Sequence, residues 1–102
     1  MEKKFIATPK APAAIGPYSQ AIRIGSFIYT SGQISLDAET MEMVTGSIEI
    51  ETEKVLQNLQ AILIEDGLDL NHVIKTTVYL TDLGDFSKMN QIYESFFADN
   101  KP

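Results

Sequence analysis

Apolar positions along the chain alternate in twos near the start, recur in threes and fours through the middle, and alternate again before a last helical stretch. Lys3–Ala7 reads as a short strand, with lysines that discourage unwanted pairing at a sheet edge. Pro9 stops it. Ala21–Ile24 is a second strand, Gly25-Ser26 a two-residue turn of the primed hairpin kind, and Phe27–Ile34 the antiparallel partner. On that partner Phe27, Tyr29, Ser31 and Gln33 share one face, and Ile28, Thr30, Gly32 and Ile34 the other. Gly32 inside a strand marks a bulge or a close approach by a ligand or another backbone.

Residues 35–46 are polar and read as a loop, with a small hairpin around Glu39-Thr40; Met41 and Met43 are packing filler. Ser47 caps a helix over residues 48–66, and Glu49 and Glu51 suit its positive N-terminal end. Its stripe is Ile48, Thr52, Val55, Leu56, Leu59, Ile62 and Leu63, and Gly67 is its stop. Val73–Thr81 is the strongest strand pattern, apolar in part on both faces, which hints at a partner subunit. Asp82-Leu83-Gly84 is a turn and Asp85 caps a second helix, whose buried stripe is Phe86, Met89, Tyr93, Phe96 and Phe97. Asn90 lies near that seam, as a structural hydrogen-bonding group or as a pocket residue. The order is three strands, a helix, a strand and a helix. That pattern packs both helices on one sheet face and leaves the second helix with no strand to feed.

Between the first two strands lies Ala11-Pro12-Ala13-Ala14-Ile15-Gly16-Pro17-Tyr18-Ser19-Gln20-Ala21, too polar and too broken to be a core element. Two prolines fix φ, and Pro17 biases Gly16 away from helix, so the segment is a stiff loop that delivers Tyr18 to a definite place. By itself this describes a rigid connector. Tyr29-Thr30-Ser31-Gly32-Gln33 adds a hydroxyl, a bare backbone and an amide in a row, and together the two segments read as walls of a pocket.

The 102 residues make one domain, 44% hydrophobic and 22% charged, with a modest core. Cysteine is absent, which excludes disulfides, thiolate metal sites and a cysteine nucleophile. His72, the one histidine, stands at a strand entrance with no triad pattern around it and reads as a surface or turn residue. The net charge of −6 divides as +3 over residues 1–36, −7 over 37–66 and −2 over 67–102. No basic cluster displaces counterions from a phosphate backbone, so nucleic acid is not an expected partner. No apolar run suits a signal peptide or a membrane span, and the default compartment is the cytoplasm.

Ala13 to Gln20, Thr30-Ser31-Gly32-Gln33, Lys75 to Leu83 and Asn90 to Phe97 resemble, in order, four motifs of the RidA family, also called YjgF or L-PSP. The resemblance runs from near the N-terminus to Pro102. It implies an α+β fold of the chorismate-mutase-like (bacillus) type, with a sheet carrying two helices on one face. It further implies a homotrimer whose sheets face inward as a barrel, with clefts between subunits. The implied reaction is hydrolysis of 2-imino or enamine acids, released by pyridoxal-phosphate-dependent dehydratases, to a 2-oxo acid and ammonia, with no cofactor or metal.

By the same resemblance Tyr18 lines the cleft and orients or protonates the leaving nitrogen. Ser31 and the backbone at Gly32 hydrogen-bond the substrate, and Asn90 reaches in from the second helix. A family arginine grips the substrate carboxylate as the third residue of a Pro-Ala-Arg segment that opens the last strand, and a glutamate places the water. The sequence stops at Pro102, the first residue of that segment, so the expectation is a chain that lacks the final strand and both of those groups. Arg23 matches no functional position. Two other functions compete: a non-catalytic regulator that binds 2-oxo acids in the same cleft, and an RNA-cleaving translation inhibitor, which the acidic balance opposes.

Overall fold

The structure, a computed structural model, describes residues 2–102. Strands β1 (Lys3–Ile6), β2 (Ala21–Ile24) and β3 (Phe27–Thr30) form an antiparallel sheet in the order β1-β2-β3. Gly25 takes φ +58°, as the first central position of a primed hairpin turn requires. The register places Phe5, Ile22 and Tyr29 side by side on one face. On the other, Lys4, Arg23 and Ile28 align, as do Ile6, Ala21 and Thr30.

Helix α1 (Ile48–Glu65) begins where Ser47 accepts the Ile50 N–H at 3.2 Å. It ends as Gly67, at φ +78°, lets the Leu68 N–H turn back to the Leu63 carbonyl at 2.9 Å. Helix α2 (Phe86–Phe96) packs on α1. The core is two clusters on the helix side of the sheet. Ile6, Ala11, Ala21 and Ile62 meet under Ile28; Leu56, Leu63, Leu70 and Phe97 meet beside Leu59, Val73 and Tyr93. Each fully buried aliphatic side chain contributes about 1.5–3 kcal/mol. The opposite sheet face is bare: Phe5, Phe27 and Tyr29 are 68%, 54% and 66% exposed. No helix of the described residues is long and apolar enough to cross a membrane.

Several local expectations are corrected. β3 ends at Thr30, and Val73–Thr81 joins no ladder among the described residues. The latter segment is held at its start, where Asn100 Nδ2 donates to the Val73 carbonyl at 2.6 Å and Thr76 Oγ1 bonds Tyr93 Oη at 2.7 Å. Beyond that, Ile74 and Tyr79 are 76% and 91% exposed. A strand pattern says which residues suit a pleated surface; strand pairing also needs a neighbour's backbone. Asp85 does not cap α2, because it is already in helical backbone at the end of a 3-10 turn. Asp82, in extended backbone, does the comparable work by accepting the Gly84 N–H at 2.8 Å. Met89 and Phe97 carry the buried α2 stripe, whereas Phe86 is exposed. Met43 is half exposed and fills no core space. Its hairpin does form, through a Leu36–Met43 bridge and an Asp37 carboxylate that accepts the Glu39 and Thr40 N–H groups.

One acidic residue ties the sheet to α1. Asp66, at the C-cap of α1, receives Lys4 Nζ from β1 and Arg23 Nε from β2, each at 2.5 Å, and its side chain is nearly buried. The hydrogen bond from Lys4, then that from Arg23, hold the Asp66 carboxyl below its ordinary value of 3.8, against the opposing effect of burial. The folded state therefore binds this proton less readily than the unfolded chain. The contribution is complete above the unfolded value and is lost as pH falls through the folded one. Asp66→Asn is expected to lower the unfolding free energy at neutral pH by about 1–3 kcal/mol in urea denaturation. The gap from the parent should narrow as pH drops below 3.8; a gap that stays constant into strong acid would contradict the ion-pair account.

Candidate functional site

The loop between β1 and β2 builds the site from its backbone outward. Gly16 adopts φ +123°, a conformation closed to ordinary side chains. Pro17 follows with its φ set by the ring, and the Tyr18 N–H closes a three-residue turn on the Gly16 carbonyl at 2.9 Å. Tyr18 is thereby folded over its own loop, and its phenolic oxygen accepts the Ile15 N–H at 3.3 Å. The ring remains half exposed.

Ser31, just past β3, stitches this loop to the sheet. Its N–H donates to the Gln20 carbonyl at 2.9 Å, and its Oγ donates to the Ser19 carbonyl at 2.5 Å. The sequence patterns of the two segments thus meet in space: Tyr18 and Ser31 are separated in the chain but joined through Ser19 and Gln20. Beneath them the Gln20 side chain is buried, bonded to the main chain of Thr8, Ala11 and Pro12.

These partners decide what each hydroxyl can still do. A serine hydroxyl has one hydrogen, and that of Ser31 is committed to Ser19, so only its lone pairs remain for a ligand. The Tyr18 oxygen is an acceptor within the loop, so its hydrogen is free to donate. One hydroxyl therefore offers a donor and the other an acceptor. A surface hollow of about 430 Å³ adjoins Tyr18 and Ser19, walled by Phe5, Ala7, Pro9 and Ala14. It is mostly apolar, with polar atoms at the loop.

Gly32 is exposed, and a Cβ added there would meet nothing within 4 Å. No bulge or tight packing among the described residues explains the glycine, and the place a Cβ would take is open space. Asn90 is exposed on α2 rather than set in the apolar seam, and it borders a different hollow, of about 260 Å³, with Tyr93, Glu94 and Lys101. A single chain therefore ties Ser31, with Gly32 beside it, to the loop that carries Tyr18, although neither lines the hollow next to Tyr18, and leaves Asn90 on another hollow. Arg23 is committed to Asp66 on the helix-facing side of the sheet. His72 accepts the Asp69 N–H at Nδ1 in the cap of a 3-10 turn, the turn role its sequence position suggests.

Two amides carry more of the site than their sequence positions announce. Gln20 was legible only as part of a motif. Asn58, 1% exposed in α1, donates to the Ile34 and Leu36 carbonyls at 3.2 and 2.9 Å and so anchors the chain leaving Gly32. The available signal was spacing: Asn58 lies three residues after Val55 and four before Ile62, at the margin of the buried stripe.

Comparison with known proteins places these features among relatives. The profile of the endoribonuclease L-PSP family matches residues 8–102. A RutC family protein of Pyrococcus abyssi is 54% identical over 102 residues, which is 100% of this chain and 80% of that one. The 2-iminobutanoate/2-iminopropanoate deaminase of Mus musculus is 47% identical over 100 residues, 98% of this chain and 74% of the relative. The crystal structure of E. coli TdcF with bound serine is similar at a TM-score of 0.89 and 40% identity, over 96% of this chain and 76% of that chain.

The open space around Gly32 separates two reasons for a glycine. Gly32→Ala is expected to leave the urea unfolding free energy within about 0.5 kcal/mol of the parent, or to raise it slightly. A loss of about 2 kcal/mol would mean that the position is crowded by the fold and not kept clear for a ligand.

Proposed function

The chain belongs to the endoribonuclease L-PSP family, and on that premise we propose that it is a deaminase that hydrolyses reactive 2-imino acids to a 2-oxo acid and ammonia. The observation that carries this reading is the joined pair of Tyr18 and Ser31, one presenting a hydroxyl donor and the other an acceptor. They occur in a chain whose relatives include mammalian proteins named 2-iminobutanoate/2-iminopropanoate deaminase. The serine held by TdcF, with a carboxylate beside a nitrogen-bearing carbon, has the same core as such a substrate.

The reaction asks little beyond position and proton control. Water adds its oxygen to C2, and the C=N electron pair moves to nitrogen. The nitrogen takes up the two protons that the water gives up, one as the C2–N bond becomes single and one as it leaves as ammonia, while the C2 oxygen becomes a carbonyl. The free hydrogen of Tyr18 is directed at that nitrogen as its charge changes. The Ser31 lone pairs accept from a substrate N–H or from the attacking water, and the backbone N–H of Gly32 donates to the substrate. Holding the reactants together in this way converts an encounter into a local step. The substrates are the enamine and imine products of pyridoxal-phosphate-dependent dehydratases, met in the cytoplasm.

Three copies assemble with their bare sheet faces inward. The support is the exposed row of Phe5, Phe27 and Tyr29, an apolar patch that a solitary soluble subunit would leave in water. Assembly also gives Asn90 a role consistent with its place on a separate hollow, as a substrate contact lent by the neighbouring copy across the cleft. RNA cleavage, the activity in the family's name, has less support: the chain is acidic, and its single histidine is occupied in a turn.

Coupled to a threonine dehydratase with semicarbazide as a trap, the protein is expected to accelerate 2-oxobutanoate release. Tyr18→Phe should lower kcat/KM by about 100-fold, the range for a lost proton donor. Ser31→Ala should cost about tenfold, the equivalent of one neutral hydrogen bond. Calorimetric binding of 2-oxobutanoate without any acceleration would replace the enzyme with a metabolite-binding regulator. Sedimentation equilibrium should give three times the 11.3 kDa chain mass; a monomer would remove the shared cleft.

A further inference from the structure

We propose that Gln20 is a positioning residue, whose buried amide closes the loop that carries Tyr18 and so sets where the phenol stands in the cleft. The inference rests on the deaminase reading for its kinetic consequence and on the hydrogen bonds alone for its structural one.

Gln20 is 4% exposed and uses both ends of its side-chain amide on the main chain of one loop. Its Oε1 accepts the Thr8 N–H at 2.6 Å. Its Nε2 donates to the carbonyls of Pro12, Thr8 and Ala11, at 2.7, 3.1 and 3.2 Å. Two amide hydrogens serve three acceptors, so one hydrogen is shared. The bond to Pro12 joins the two ends of the stretch containing Ile15, Gly16, Pro17 and Tyr18. The main-chain carbonyl of Gln20 meanwhile accepts the Ser31 N–H. One residue thus fixes the loop on its inner side and the serine on its outer side.

Ala11 packs in the core at the start of the loop, but no other polar side chain of the loop does this. Among the described residues, the one main-chain bond within residues 13–19 is the local one from Tyr18 to Gly16. The phenol's own bond, to Ile15, also stays inside the loop. Those contacts shape the loop internally but do not place it against the sheet. Beyond the packing of Ala11, placement by hydrogen bonds falls to Gln20 and to Ser31, through its N–H on Gln20 and its hydroxyl on Ser19. Apolar residues of the right volume would fill the Gln20 space equally well but would leave the Thr8 N–H and three carbonyls without their partner. The amide is suited because it offers a donor and an acceptor on one planar head.

Gln20→Met keeps the length and removes both functions. Gln20→Glu keeps the acceptor but sets a carboxylate against three carbonyl oxygens; once protonated, its hydroxyl can donate to one of them. Asp66→Asn is the control, a destabilising change remote from the loop's hydrogen bonds. Gln20→Met is expected to speed amide hydrogen exchange at Thr8, Ile15 and Tyr18, with α1 protection retained. Its kcat should fall by about 100-fold with KM little changed, the size of effect expected when a reacting group is misplaced. Asp66→Asn should retain both kcat and loop protection. Gln20→Glu should regain loop protection and kcat on acidification, relative to the parent at the same pH.

An unchanged kcat in folded Gln20→Met, or an equal kcat loss in Asp66→Asn, would overturn the proposal. So would exchange that quickens uniformly over the chain. If Gln20→Met does not fold, the pH response of Gln20→Glu decides, and a response no different from the parent's overturns it. If the parent protein itself lacks deaminase activity, the functional reading fails, while exchange at Thr8, Ile15 and Tyr18 still decides whether Gln20 holds the loop.

Discussion

The three-stranded sheet carries apolar side chains on both faces, while α1 covers only one. Ile6, Ala21 and Ile28 are taken into the core against Ile62 and Ala61. Phe5, Phe27 and Tyr29, alternating with them along the same strands, are left outward. Strand geometry makes this unavoidable, since neighbouring residues point to opposite faces. Each square ångström of apolar surface left in water forgoes about 25 cal/mol. That imbalance is the physical basis for proposing association, and with association a cleft to which Asn90 contributes from elsewhere.

The polar side of the molecule is ordered by a different rule, that a buried or partly buried hydrogen-bonding group must be satisfied. The loop before β2 is irregular and cannot satisfy itself by ladder pairing. Gln20 and Ser31 supply the missing partners from the side. Doing so uses up specific capacities: the Ser31 hydrogen is spent on Ser19, whereas the Tyr18 hydrogen is not. What a site residue offers a ligand is therefore what its structural bonds leave over, which residue identity alone does not reveal.

Charge is handled similarly. The basic N-terminal third and the acidic middle of the chain meet at Asp66, where Lys4 and Arg23 converge. A carboxylate with two cations can remain ionised in a nearly buried place, and it fastens two strands to the end of a helix. The one arginine thereby has its Nε committed to Asp66 on the helix-facing side of the sheet. Its commitment agrees with the sequence motifs, which give Arg23 no functional place.

Much was legible in the sequence because it depends on near neighbours. The span of α1, its Ser47 cap and Gly67 stop, the Gly25 hairpin turn and the stiff Tyr18 loop are each set within a few residues, by periodicity, capping and restricted φ. The family motifs followed from the same local strings. Long-range partners were settled only by the tertiary structure. Val73–Thr81 has a strand's pattern yet pairs with no strand among the described residues, Phe86 sits on a helical stripe yet faces outward, and Asn90 lies on a hollow apart from Tyr18. The four bonds of Gln20 join it to residues eight to twelve positions away, through an irregular loop that no periodicity describes. Periodicity marks which faces are apolar and turn chemistry marks where the chain bends; which surface covers a face, and which amide closes a loop, are decided when distant segments compete for the same space.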